Sequence, residues 1–279
     1  MRKKNTIPTF LVLFLSNFYL CTAQKVQLTQ GLDESAGGRP VYIITTPSAI
    51  YHLDKEGGGL SSMKDKDGID WIGFHNREGS RHKGEFRGFP NAIHRQDGSY
   101  FHPMNAKTDS SSSVVDKESK ENVRIIFTSK NKKWQGQWDF YANRCDFTMT
   151  KISPGYHYWV QYEGVPGGEM ERTDFWYVSG DKQKHQISES QSGDLPAPEW
   201  MAFGDVNSPR VLYLLHHEDD SIPDEYVYRT DMTVFGFGRQ NGLKRTRKFL
   251  NTVQTFSIGF VESTDYFAID QSIQRILTK

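Results

Sequence analysis

Residues 156–171 read YHYWVQYEGVPGGEME, and in them Tyr156, Tyr158, Val160 and Tyr162 alternate with His157, Trp159, Gln161 and Glu163. A period of two is the mark of a strand, because successive side chains leave its opposite faces. One face is then aromatic and the other carries His, Gln and Glu. A strand whose polar face also bears a ring lines either solvent or a cleft, and the Gly-rich PGG turn after it would hold a cleft open. The cleft is the expectation here, with Tyr162 or Glu163 nearest the chemistry.

The same period recurs along the chain in PVYIITT, AIYHLD, VRIIFTS, WQGQWDFYA, DFTMTKI, RVLYLLHHE, MTVFGFG and QTFSIGFVE, separated by the turn signals EGGG, DKDGID, PGG, SGD and QNG. Helical spacing is confined to DYFAIDQSIQRILTK, where Phe267, Ile269, Ile273, Ile276 and Leu277 are apolar and Asp265 can cap. The fold class is therefore all-β and antiparallel with a short C-terminal helix. No repeat of propeller type is visible, which leaves a large sandwich or a jelly roll. The serine run Ser110 to Ser113, with DKESKEN beyond it, reads as an exposed loop.

Arg2, Lys3 and Lys4 precede an apolar run from Ile7 to Leu20, and Cys21-Thr22-Ala23 supplies small residues for cleavage. This pattern predicts a secretory signal peptide over 1–23, a single β domain over 24–279, and a periplasmic or secreted protein. The bulky Tyr19 and Leu20 suit acylation of Cys21 poorly. No later run approaches the length that membrane insertion needs. With the signal removed, Cys145 is the one remaining cysteine, so no intramolecular disulfide is expected. Lys and Arg total 34 against 34 Asp and Glu, which lacks the basic excess of a nucleic-acid binder.

Two further stretches carry candidate chemistry. In GEFRGFPNAIHRQDGSYFHP, residues 84–103, Arg87 offers a fork of donors suited to a carboxylate or sulfate, and Asn91 can cap a turn or bind. His94 and His102 add groups that exchange protons near neutral pH. In RVLYLLHHEDD, residues 210–220, His216 and His217 must face opposite ways, so only one can share a given pocket. Neither HxH nor HExxH spacing accompanies them, so no metal site is assigned; a divalent metal, with calcium at the acidic tail Asp219-Asp220, stays open beside the reading of that tail as a solvated turn. FGFGR delivers Arg239 as a second anion-binding arginine. Trp134, Trp138, Trp159 and Trp176 could stack on sugars if the protein only binds glycans. Nucleotide-binding and serine-hydrolase motifs are absent, and Cys145 in NRCDF has core rather than nucleophile surroundings.

GGGLSSMKDKDGIDWIGF, EFRGFPNAIH, FHP, QYEGVPGGEME, LPAPEWMAFGD, LYLLHHEDD and MTVFGFGR together resemble the ulvan oligosaccharide dehydratase-like family, exported proteins of marine bacterial polysaccharide-utilisation systems. The resemblance runs from about Tyr51 to Phe260. It implies removal of water from a non-reducing-end uronic acid to leave a 4,5-unsaturated uronate, an anionic oligosaccharide substrate and no cofactor. An endo-acting polysaccharide lyase or a non-catalytic glycan binder are the alternatives. These motifs mark the family rather than the reaction and transfer no catalytic residue. The residues themselves suggest His102 and Tyr162 for proton transfer, with His94 and His217 as further candidates. Arg87, Asn91, Glu163, His216 and Arg239 are the candidates for substrate binding. The architecture expected is a large sandwich of the sugar-mutarotase kind.

Overall fold

Pairing of short alternating segments dominates the computed structural model, which describes residues 25–73, 87–94, 97–103, 110–241 and 246–278. The expected signal peptide lies outside these residues. The first strands are β1 (Gln27–Asp33), β2 (Arg39–Thr45), β3 (Ala49–Asp54), β4 (Leu60–Asp65), β5 (Ser111–Glu118), β6 (Val123–Ser129), β7 (Trp134–Phe140) and β8 (Arg144–Ile152). Then come β9 (Val160–Gly164), β10 (Phe175–Val178), β11 (Asp181–Gln186), β12 (Gln191–Gly193), β13 (Trp200–Gly204) and β14 (Val211–His216). The series ends with β15 (Asp224–Tyr228), β16 (Thr233–Phe237), β17 (Arg239–Asn241), β18 (Thr246–Lys248) and β19 (Thr255–Val261).

One layer is a nine-stranded sheet in the order β11-β10-β13-β14-β19-β8-β7-β6-β5. The other layer contains two four-stranded sheets, β1-β2-β3-β4 and β12-β15-β16-β9. All of these strand pairs are antiparallel. The segment 88–92 stitches the two smaller sheets together. Phe89 exchanges backbone hydrogen bonds with Leu60 of β4 (2.7 and 3.4 Å), and Gly88 does so with Glu163 of β9 (2.7 and 3.0 Å). Gln161 N–H donates to Pro90 O at 2.6 Å, which continues the ladder. Proline fits here because the pairing uses its carbonyl and not an N–H.

Between the layers, rings interlock edge to face or tilted. Centroid separations are 5.9 Å for Phe89 and Trp138, 5.3 Å for Tyr51 and Phe140, and 5.7 Å for Tyr162 and Phe203. Each fully buried large apolar side chain contributes roughly 1.5–3 kcal/mol, which suits a fold whose one cysteine among the described residues, Cys145, is free and buried. The helix α1 (Tyr266–Leu277) lies on the outer face of the nine-stranded sheet. There Ile269, Ile273 and Ile276 pack with Trp200, Tyr213 and Leu215, and Asp265 caps by accepting from Ala268 N–H at 3.0 Å. Tyr266 takes the buried position expected of Phe267, which is 61% exposed.

The serine run departs from expectation, because Ser111–Glu118 is the edge strand β5 rather than a loop. Its partner β6 alternates strictly between buried and half-buried residues, and the backbone ladder to β6 overrides the low strand preference of serine.

Candidate active site

β9 separates its faces as its alternation requires. Val160 and Tyr162 enter the core, while Gln161 and Glu163 point to the outer face of the stitched layer. Directly paired residues on neighbouring strands share a face. Gln161 pairs with Gly236, which pairs with Glu225, so Gln161 and Glu225 stand on the same side with a gap between them. Arg239 lies across that gap: a Cβ on Gly236 would come within 2.8 Å of its Cδ. Its guanidinium donates to Glu225 and sits 6.0 Å from the centre of the Trp159 ring.

Glu163 is the centre of the cluster. Asn91 donates to its Oε2 at 2.9 Å and Gln161 to its Oε1 at 2.7 Å. Asn91 adopts φ 33° at the end of the stitching segment, a left-handed conformation that asparagine tolerates better than most residues. Burial pushes the Glu163 carboxyl up to about 8, although Asn91, Arg239, Arg229 and Gln161 all act in the opposite direction. In the carboxylate state both amides donate, and Asn91 Oδ1, Gln161 Oε1 and Arg239 Nε are buried without partners among the described residues. Protonation would let one amide turn over and accept from the new O–H. The remaining orphans are suited to ligand hydroxyls.

Lys248, in β18, completes the cluster. Its Nζ lies 4.5 Å from the Trp159 ring centre and donates to His94 O at 2.8 Å, and burial pushes it down to about 8. Trp159 is fixed by its own Nε1–H bond to Asn91 O at 2.6 Å. His102 joins from the other side of the stitch. Gly88 opposes Glu163 and shares its face, and the position of a Cβ on Gly88 is 3.1 Å from His102 Nδ1. Asn91, Glu163, Arg239 and His102 thus gather on one face, with the His94 backbone beside Lys248.

Other expected residues stand elsewhere. Tyr162 is a core residue: its hydroxyl donates to Trp71 O at 2.5 Å, on the face opposite Glu163, and burial pushes its ionisation far up. Arg87 spends two donors on the carbonyls of Gly73 (3.2 Å) and Asp231 (2.6 Å), so it braces loops rather than facing the cluster. His216 turns into the sandwich, stacked on Phe256 and bound to Glu199 at 2.6 Å. His217 takes the opposite face of β14 and meets Ser257 Oγ at 2.7 Å, so the thickness of the sandwich separates it from Glu163. Trp134, Trp138, Trp159 and Trp176 are all buried, which removes the four expected stacking platforms. Lys248, Glu225 and Gln161 were not singled out for binding, because nothing local in sequence links them to Asn91. A groove of about 430 Å³ beside Arg144, Glu262 and Arg275 contains none of these groups.

No family model and no curated protein matches the chain. Among solved structures, the protein HI1317 overlaps it with a TM-score of 0.53 at 14% identity, covering 85% of this chain and 100% of that one. YeaD of Salmonella typhimurium, a proposed mutarotase, overlaps with a TM-score of 0.49 at 10% identity, over 84% and 93% of the two chains. A bacterial glucoamylase complexed with acarbose gives 0.40 at 10% identity, over 92% of this chain and 35% of that one. At these identities the likeness to HI1317 shows the fold alone, and that fold is a large antiparallel β-sandwich.

Proposed function

We propose that the protein is a carbon-oxygen lyase that binds the terminal uronate of an anionic oligosaccharide at the Glu163 cluster and removes water across C4 and C5. The observation that carries this reading is a buried glutamate held near 8 between two amides, with Arg239, Lys248 and Trp159 around it. A uronate requires a cation at its carboxylate, so that charge developing beside C5 in the transition state is stabilised. Arg239 and Lys248 supply it, and both are held against the buried Trp159 ring.

His102 takes the C5 proton, and the C5–H electron pair becomes the C4=C5 bond. The C4–O bond breaks as protonated Glu163 gives its proton to the departing hydroxyl, which leaves as water. Transfer of the proton from His102 back to Glu163 restores the site, so substrate becomes unsaturated product plus water with no redox change. Glu163 here takes the place beside His102 in proton transfer that the sequence suggested for Tyr162.

The test is incubation of the protein with uronate-terminated oligosaccharides, followed by ultraviolet absorbance of the conjugated product and by mass spectrometry. The reading predicts loss of one water without shortening of the chain. Shortened unsaturated products would identify an endo-acting lyase instead, and unchanged oligosaccharides that still bind would identify a glycan-binding protein.

A further inference from the structure

A second group of polar side chains closes one end of the sandwich, between the layers and apart from the Glu163 face. Asp194 follows β12, Glu199 precedes β13, and Asp220 lies beyond β14. One oxygen of each lies within 4.8 Å of the others. That is the span of opposite ligands around an ion held at about 2.4 Å. Glu199 is 1% exposed and its partners, His216 Nδ1 and Asp220 N–H, leave a lone pair on each oxygen. Among the described residues, no lysine or arginine forms an ion pair with any of the three.

Asp224, at the start of β15 beside β12, provides the independent observation. It is 1% exposed; its Oδ1 accepts from Gly238 N–H at 2.9 Å, and its Oδ2 is buried without a partner. Its backbone pairs with that of Gly193, the residue before Asp194, which sets it beside the cluster, and burial and the charges of Glu199 and Asp220 hold its carboxyl well above the usual range. Asp220 Oδ2 and Gln254 Oε1 are also buried, and the Gln254 side chain lies within hydrogen-bonding reach of the Asp220 carboxyl. Among the described residues the one basic group beside these converging carboxylates is the His216 imidazole on Glu199, a single charge at most against several acids, and burying unpaired carboxylates is costly.

We propose that Asp194, Glu199, Asp220 and Asp224 bind one divalent cation, with Gln254 as a further oxygen donor, and that the cation is Ca²⁺. The donors are oxygens, which suit a hard cation, and one imidazole without cysteine or a second histidine does not make a zinc set. They arise from separate loops in both layers, and the larger, geometrically tolerant calcium fits such a set better than magnesium does. The ion would clip the layers together and fix Asp224 under Gly238, from which Arg239 reaches Glu225.

Chelator-treated full-length protein should be titrated with CaCl₂, MgCl₂ and ZnCl₂ by calorimetry and by thermal unfolding. One Ca²⁺ per chain is expected, with a melting temperature that climbs as calcium is added. Asp220→Asn should weaken binding at least about tenfold, because a ligand charge is lost. Exposed Asp194→Asn carries the same test without risk to folding. Absence of heat and of any thermal shift up to about 10 mM Ca²⁺, beyond the roughly millimolar limit of extracellular sites, overturns the proposal. Preference for Zn²⁺, or undiminished calcium binding by both variants, overturns it equally, the latter by directing the ion to another cluster such as Glu171, Asp174 and Asp205.

Discussion

Gly88 and Glu163 oppose each other across the stitch and exchange backbone hydrogen bonds of 2.7 and 3.0 Å. Because they share a face, the side chain that Gly88 lacks leaves room beside Glu163. His102 and Pro103 occupy it, at 3.1 Å (Nδ1) and 2.5 Å (Cδ) from where a Cβ would stand. The glycine in this bridge is thus what lets the His102 imidazole sit on the face of the bridge that Glu163 shares.

Gly88→Ala should therefore separate the two groups without touching either. The added methyl meets the rigid Pro103 ring, so the segment 102–103 must move. A loss of about 1–3 kcal/mol in stability is expected from overpacking. Turnover should fall by at least about tenfold while oligosaccharide affinity stays near wild type, since proton transfer depends on distance and the cations are not moved. Denaturant unfolding and steady-state kinetics on the same sample check both effects.

Glu163→Gln removes the proton donor and keeps the shape. Loss of about 10² to 10⁴ in kcat with little change in KM is expected. In the wild type, kcat should decline as pH rises through about 8, where Glu163 loses its proton. KM should rise over the same range as Lys248, also near 8, becomes neutral. Lys248→Gln and Arg239→Lys should act mainly on KM, the second because a lysine cannot both pair with Glu225 and present a fork. A pH profile of kcat that is unchanged in Glu163→Gln would contradict its role.

How much of this was legible in the sequence follows from what is local. The strands, the capped helix and the two faces of Gln161 to Glu163 rest on periodicity, which each segment carries by itself. Asn91, Glu163, Arg239 and His102 were visible as residue types, yet their meeting depends on 88–92 pairing with β9, a contact across some seventy residues. Tyr162 and Arg87 show the converse. Alternation placed Tyr162 on the aromatic face, and an aromatic face in a sandwich is the core; Arg87 sits one residue before Gly88 and so leaves the opposite side of the stitch from the site. Lys248 gave no signal, because its burial against Trp159 exists only in the fold.

Tyr162→Phe and Arg87→Lys separate core from chemistry. The first leaves Trp71 O with the Val165 N–H at 2.9 Å as its remaining donor and should cost about 0.5–1.5 kcal/mol, and the second surrenders one of two carbonyl anchors and should cost about 1–3 kcal/mol. Both should retain kcat within about twofold under conditions where they are fully folded. Large losses of kcat in folded protein would restore these residues to the site.

Stability should carry the signature of Glu163 through its pH dependence. The folded carboxyl is raised to about 8 from an ordinary value of 4.5. Between those values the folded state keeps the proton and the unfolded chain has released it. The unfolded state then binds fewer protons, so stability falls as pH rises through this window and levels off above it. The direction is opposite to that of an ordinary salt-bridged carboxylate, whose stabilisation appears with rising pH. Asp174, raised to about 7, slopes the same way, so the wild-type curve alone does not isolate Glu163. The difference between wild type and Glu163→Gln does: glutamine cannot ionise, and the variant should gain stability relative to wild type progressively from pH 4.5 to about 8. Denaturant melts of both proteins across that range, in one ionic strength, check it, and two parallel curves would show that Glu163 is not held protonated by the fold.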